Sequence, residues 1–124
     1  MTRELVELPD YYAAPGFVLL ARGADQTVGC VGVRALEPST GEIRRLFVRP
    51  EHRCAGAGRR LLDEASGLAE ARGFDRLVLN TLPTMSAARA LYDIDGFIPI
   101  EPYVEDPVAG VEFLGRDLGG TGRG

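Results

Sequence analysis

Residues 49–62 read RPEHRCAGAGRRLL and lie between an apolar run, EIRRLFV (42–48), and a segment with helical periodicity. Pro50 closes the run, since a proline lacks the N–H a strand ladder needs. From Gly58 onward Leu61, Leu62, Ala65, Leu68 and Ala69 recur at the spacing of one helix face. The stretch is therefore read as a strand handing over to a helix through a turn of tiny residues. Such a turn leaves the first N–H groups of the helix without intrahelical acceptors. Those donors, together with the positive end of the helix, favour a bound phosphate. Gly56, Ala57 and Gly58 keep side chains away from the amides, and Arg53 and Arg59 flank them as charge-assisted donors. A tight turn with solvated arginines would read the same way.

Working outward, FVLLA (17–21) and TVGCVGVRAL (27–36) have strand composition, and the turn GADQ between them makes them antiparallel neighbours. EPSTG (37–41) breaks the chain before EIRRLFV, the third predicted strand. Gly73 stands where a helix ends in a left-handed residue. RLVLNTL (76–82) predicts a fourth strand, and SAARALYDID (86–95) a second helix stopped by Gly96. PIEPYV (99–104) and VEFLGRDL (111–118) are weaker closing strands joined by the loop EDPVAG. At the front, MTRELVELPD reads as a short helix end, with Leu5 and Leu8 on one face and Pro9 closing it. The expectation is a single domain over 1–118, of α/β (α+β layered) class with helices covering a sheet, and a disordered tail over GGTGRG (119–124).

Composition narrows the function. A formal charge of −4 over 124 residues argues against nucleic acid, which normally leaves a basic footprint. No apolar run reaches the roughly 20 residues of a membrane span, and the first ten residues lack the apolar core of a secretory signal. Cys30, Cys54 and the single His52 form no metal-binding spacing, so no metal is expected and a cytoplasmic location is the default. Two phosphate motifs are excluded at the loop. Leu61 stands where a dinucleotide fingerprint needs its third glycine, and no GK[ST] follows.

Arg53-x-x-Gly56-x-Gly58, between LFVRP and RRLL, resembles the [Q/R]-x-x-G-x-[G/A] pyrophosphate motif of the GNAT superfamily of N-acetyltransferases. AARALYDIDGF (87–97) resembles that family's A-x-x-L-Y-x-x-x-G-F segment, in register at Ala88, Leu91, Tyr92, Gly96 and Phe97. The matched elements run from about Phe17 to Leu118.

The resemblance implies a mixed, mostly antiparallel central sheet and acetyl-CoA as cosubstrate, with acetyl passing to a primary amine by direct attack through a tetrahedral intermediate. The pantetheine arm would lie along Leu46, Phe47 and Val48 like an added strand. The amides of Cys54, Ala55, Gly56, Ala57, Gly58 and Arg59, with Arg53, would take the pyrophosphate. A strand N–H near Leu46 or Phe47 would face the developing oxyanion. Tyr92 is implied as general acid, able to hydrogen-bond the departing thiolate or protonate it; alone it reads as a helix tyrosine packed on the sheet. Glu42 would take the amine's proton, directly or through water, or else be a solvated strand end paired with a nearby arginine. Cys54 stands where the family commonly has glycine, and Met85 where many members have an asparagine. Tyr103, Glu101 and Glu105 are offered as acceptor determinants. Family members usually begin with a strand and two helices before the segment matching FVLLA, and only the tail of that region is recognised here. An uncovered sheet edge and face would favour a homodimer or a partner, and a coenzyme-A-binding or interaction domain without turnover is the alternative.

Overall fold

The computed structural model describes residues 2–6, 12–82, 84, 86–105 and 107–118. Strand β1 (Thr2–Val6) is followed by β2 (Phe17–Arg22), β3 (Thr27–Glu37), β4 (Thr40–Ile43) and the two-residue β5 (Phe47–Val48). A 3-10 helical turn, Pro50–Ala55, leads into helix α1 (Ala57–Ala71). Strand β6 (Arg76–Thr81), helix α2 (Ser86–Ile94), β7 (Ile98–Pro99) and β8 (Glu112–Asp117) complete the order. The sheet runs β1-β2-β3-β4-β6-β8-β7, with β5 paired to β3. Its neighbours are antiparallel except β4 and β6, so the sheet is mixed and mostly antiparallel, as the resemblance implied.

Alternation explains the strands and period the helices. Leu61, Leu62, Ala65 and Ala69 of α1 are buried in one cluster with Leu19, Val31, Val33 and Leu77 of the sheet. Each fully buried leucine contributes roughly 2–3 kcal/mol. Gly73 (φ 96°) and Gly96 (φ 91°) adopt the left-handed conformation just past the two helices.

Three expectations are corrected. Residues 2–6 are a strand, not a helix end: Thr2 to Val6 pair residue by residue with Arg22 to Val18. The two-leucine period is too short to hold an isolated helix, whereas the edge of β2 offers a full row of partners. That edge of the sheet is therefore occupied by a strand the sequence reading did not foresee. The run 42–48 is also not one strand. Gly32 accepts from the Arg44 N–H and donates to the Arg45 carbonyl, so two residues stand opposite one. This β-bulge bends the chain between β4 and β5. The closing strand read at 99–104 is shorter, Ile98–Pro99. The tail 119–124 lies outside the described residues.

Candidate active site

The bulge opens the sheet. Strands β4 and β6 run in parallel register over Thr40↔Arg76, Gly41↔Leu77 and Glu42↔Val78. Beyond that point Leu79–Thr81 continue against β8, while Phe47 and Val48 are in register with Cys30 and Gly29 of β3. The chain between Ile43 and Phe47 thus leaves β6 and leans on β3. Gly29 permits the close approach, since a Cβ there would meet the Phe47 carbonyl oxygen at 2.5 Å. Ladder alternation then sorts the backbone groups. Arg45 and Arg49 hydrogen-bond to β3, to Gly32 and Val28. Phe47 shares their parity, so the intervening Leu46 directs its N–H and C=O away from β3.

This gap ends at the start of α1. Gly56 caps the helix in the left-handed conformation (φ 81°), no side chain caps it, and a Cβ at Gly56 would meet nothing within 4 Å. The first intrahelical bond runs from the Arg60 N–H to the Gly56 carbonyl, so earlier amides have no acceptor within the helix. Gly56 is demanded by its φ, and its surroundings are open. Gly58 has a second reason to be small: a Cβ there would lie 3.1 Å from Leu91 Cδ2 of α2. Ala57 is buried in the core rather than lining the turn. Arg59 is not a free cation, lying 3.8 Å from Asp63 and 3.7 Å from Asp95. Arg53, Cys54 and Ala55 fall in the 3-10 turn, and only their backbone is described. Met85 lies outside the described residues.

The Leu91–Gly58 contact sets α2 against the first turn of α1, and the next residue, Tyr92, turns inward. Its ring is 6 % exposed and tilted against Phe97 with centroids 5.6 Å apart. Burial pushes its phenol up to about 12. No hydrogen bond from its hydroxyl is seen among the described residues.

Glu42 is the most enclosed charge here, at 1 % exposure, and is not a solvated strand end. Arg34 Nε donates to its Oε1 at 2.6 Å, the Tyr103 hydroxyl donates to its Oε2 at 2.6 Å, and Arg44 Nη1 lies 3.7 Å from Oε2. Both oxygens are engaged, as a buried carboxylate requires. Tyr103 also accepts from Asn80 Nδ2 at 3.4 Å and meets the Phe113 ring edge-on. Burial, then its bond to Glu42, pushes the Tyr103 phenol well above its ordinary value. Beside it, on the sheet face opposite α1, lies an open cleft of ≈ 640 Å³ lined by Val78, Ile100, Glu37, Glu101, Arg76 and Tyr103 among others. Of the three acceptor candidates, the structure brings Tyr103 and Glu101 to this cleft. Sequence reading missed Arg34. Its pairing with Glu42 was recoverable, because opposite charges four places either side of Pro38 face each other across a hairpin.

The sequence profile of the acetyltransferase (GNAT) family matches residues 2–97. The chain belongs to this family, whose members are N-acetyltransferases. It is 38% identical over 110 residues to an uncharacterized N-acetyltransferase of Schizosaccharomyces pombe, covering 86% of this chain and 68% of that one. It is 37% identical over 95 residues to an IAA acetyltransferase of Azospirillum brasilense, covering 73% of this chain and 62% of that one. The chain thus spans about two thirds of these relatives' lengths. Its fold matches a GNAT family acetyltransferase from Elizabethkingia anophelis solved with acetyl-CoA bound, with a TM-score of 0.76 and 20% identity. That match covers 94% of this chain and 97% of the other. No helix among the described residues is long and apolar enough to cross a membrane.

Proposed function

We propose that the protein transfers acetyl from acetyl-CoA to a primary amine by direct attack, without an acetyl-enzyme. The observation that carries this is the gap where β4 and β6 part, ending on the open amides at Gly56. The pyrophosphate is held by amides of residues 54–59 with Arg53, and the pantetheine arm runs along Leu46, Phe47 and Val48. Of the two candidate oxyanion donors, Leu46 is favoured, since ladder parity aims its N–H into the gap and turns that of Phe47 to β3. The pyrophosphate fits the cradle because Gly56 leaves room there and, as the N-cap residue, supplies no capping side chain.

Tyr92 acts on the departing thiolate. Glu42 is the candidate acceptor of the amine's proton, reached through the Tyr103 hydroxyl rather than by direct contact, since both its oxygens are engaged. A homodimer stays part of the proposal: β1 covers β2 and is itself the outer strand of the sheet. Light scattering decides that point, and a monomer would end the dimer reading. A cytoplasmic location remains part of the proposal.

Titration calorimetry with acetyl-CoA and with plain ADP, followed by thiol release across an amine panel, tests the assignment. Acetyl-CoA binding with amine-dependent thiol release is expected. Tight binding with no release from any amine favours the idle coenzyme-A-binding domain, and equal binding of ADP favours another phosphate ligand.

A further inference from the structure

The cleft beside Tyr103 is lined by a guanidinium, Arg76, that makes no ion pair among the described residues. Arg76 opens β6, and its guanidinium lies across β8 at Gly115, where an added Cβ would sit 3.3 Å from Nη2 and 3.2 Å from Ile100. Gly115 therefore leaves the space in which this cation and Ile100 rest on the sheet. Arg34 and Arg44 on the same face spend their charge on Glu42. Arg76 has no carboxylate within ion-pair distance among the described residues, although Asp117 stands opposite it in the ladder. At the other end the Tyr103 hydroxyl sits on Glu42, beside the register position Glu42↔Val78 where β4 and β6 part. Glu101 and Glu37 add negative charge to the walls, and Val78 and Ile100 supply an apolar floor. Val78 and Arg76 are two residues apart, a strand rise of about 7 Å.

Resting on the acetyltransferase reading above, we propose that this cleft takes an acceptor carrying both an amine and a carboxylate, a small amino acid. Its carboxylate is held by Arg76, and its amine is directed to Tyr103 and the gap. A guanidinium with no carboxylate partner among the described residues is the residue type that grips a carboxylate by two parallel hydrogen bonds. Glu37 lies at the level of Arg76 through Thr40, so the ammonium is drawn by Glu42 beneath the Tyr103 hydroxyl, and guanidinium and hydroxyl together set the orientation. Among the described residues lining the cleft, Arg76 is the one cation.

The test uses acceptors that differ only in the carboxylate: leucine with isopentylamine, and phenylalanine with phenethylamine, each followed by thiol release from acetyl-CoA. Wild-type kcat/KM is expected to be at least roughly tenfold higher for the amino acid of each pair, the factor one good charged contact supplies. In Arg76→Ala that ratio falls towards one, and Arg76→Lys retains part of it. An unaltered ratio in Arg76→Ala, or a wild-type preference for the decarboxylated amines, overturns the proposal while leaving acetyl transfer standing. If no amine of either kind is acetylated, the transfer reading has failed instead. Saturation-transfer NMR with leucine and isopentylamine then decides the cleft: binding of leucine that depends on Arg76 supports it, and no such binding overturns it.

Discussion

Replacing Tyr92 by phenylalanine removes one oxygen atom from a ring that is 6 % exposed, and the structure sets the size of the effect. Burial lifts the phenol to about 12, while an ordinary thiol ionises near 8.5. Handing the proton fully to a thiolate would thus run uphill by about 3.5 units, or about 5 kcal/mol. Hydrogen-bonding the departing thiolate, without surrendering the proton, has no such barrier. A hydrogen bond to a charged group contributes about 1.5–3 kcal/mol, which corresponds to roughly ten- to 150-fold in rate. Tyr92→Phe should therefore lower kcat by that range and leave the acetyl-CoA dissociation constant nearly unchanged. The hydroxyl has no hydrogen bond among the described residues, so its loss should alter folding stability by less than about 1 kcal/mol. Steady-state thiol release at saturating acceptor gives kcat, calorimetry gives the affinity, and a urea midpoint confirms the fold. A kcat within twofold of wild type would remove Tyr92 from the reaction. A loss beyond about 10⁴-fold with intact affinity would mean that the proton itself is transferred, against the argument from the raised phenol.

The two glycines of the turn should respond differently to alanine. Gly56→Ala meets no atom but forces a side chain into the left-handed conformation, at a cost of about 1–2 kcal/mol. Gly58→Ala gains up to about 1 kcal/mol of helix propensity and loses some of it against Leu91, so urea midpoints should fall clearly for the first variant only. Alkaline pH should destabilise the protein through its buried phenols. Tyr92 and Tyr103 hold their protons more tightly when folded than the unfolded value near 10. Their contribution is complete below pH 10 and is lost as pH rises from there through the folded values. Unfolding at pH 8 and pH 11 should show Tyr103→Phe less stable than wild type at pH 8 but less sensitive to the rise; equal sensitivity would refute the assignment.

What could be read from the sequence was what is decided locally. Both helices were found because their apolar period and the glycines at 73 and 96 act within a turn or two of chain. The first hairpin was found because its turn residues are contiguous. The strand at Thr2–Val6 was misread because it exists only through its register with β2, and five residues show too little pattern to reveal a distant partner. The Tyr103–Glu42 bond joins residues 61 apart, and no spacing rule reaches that far. The break in EIRRLFV is the most instructive case. Its composition reads as one continuous strand, yet Arg44 and Arg45 share Gly32 as a partner, and that single extra residue turns the chain from β6 to β3. Had the strand stayed regular, β4 and β6 would have kept their register past Glu42↔Val78, and the backbone of Leu46 would have bonded within the sheet. The motif at 53–58 named the ligand class without showing how its arm could reach the reacting centre. On the function proposed above the bulge supplies that route, so the feature hidden from sequence is the one on which that proposal depends.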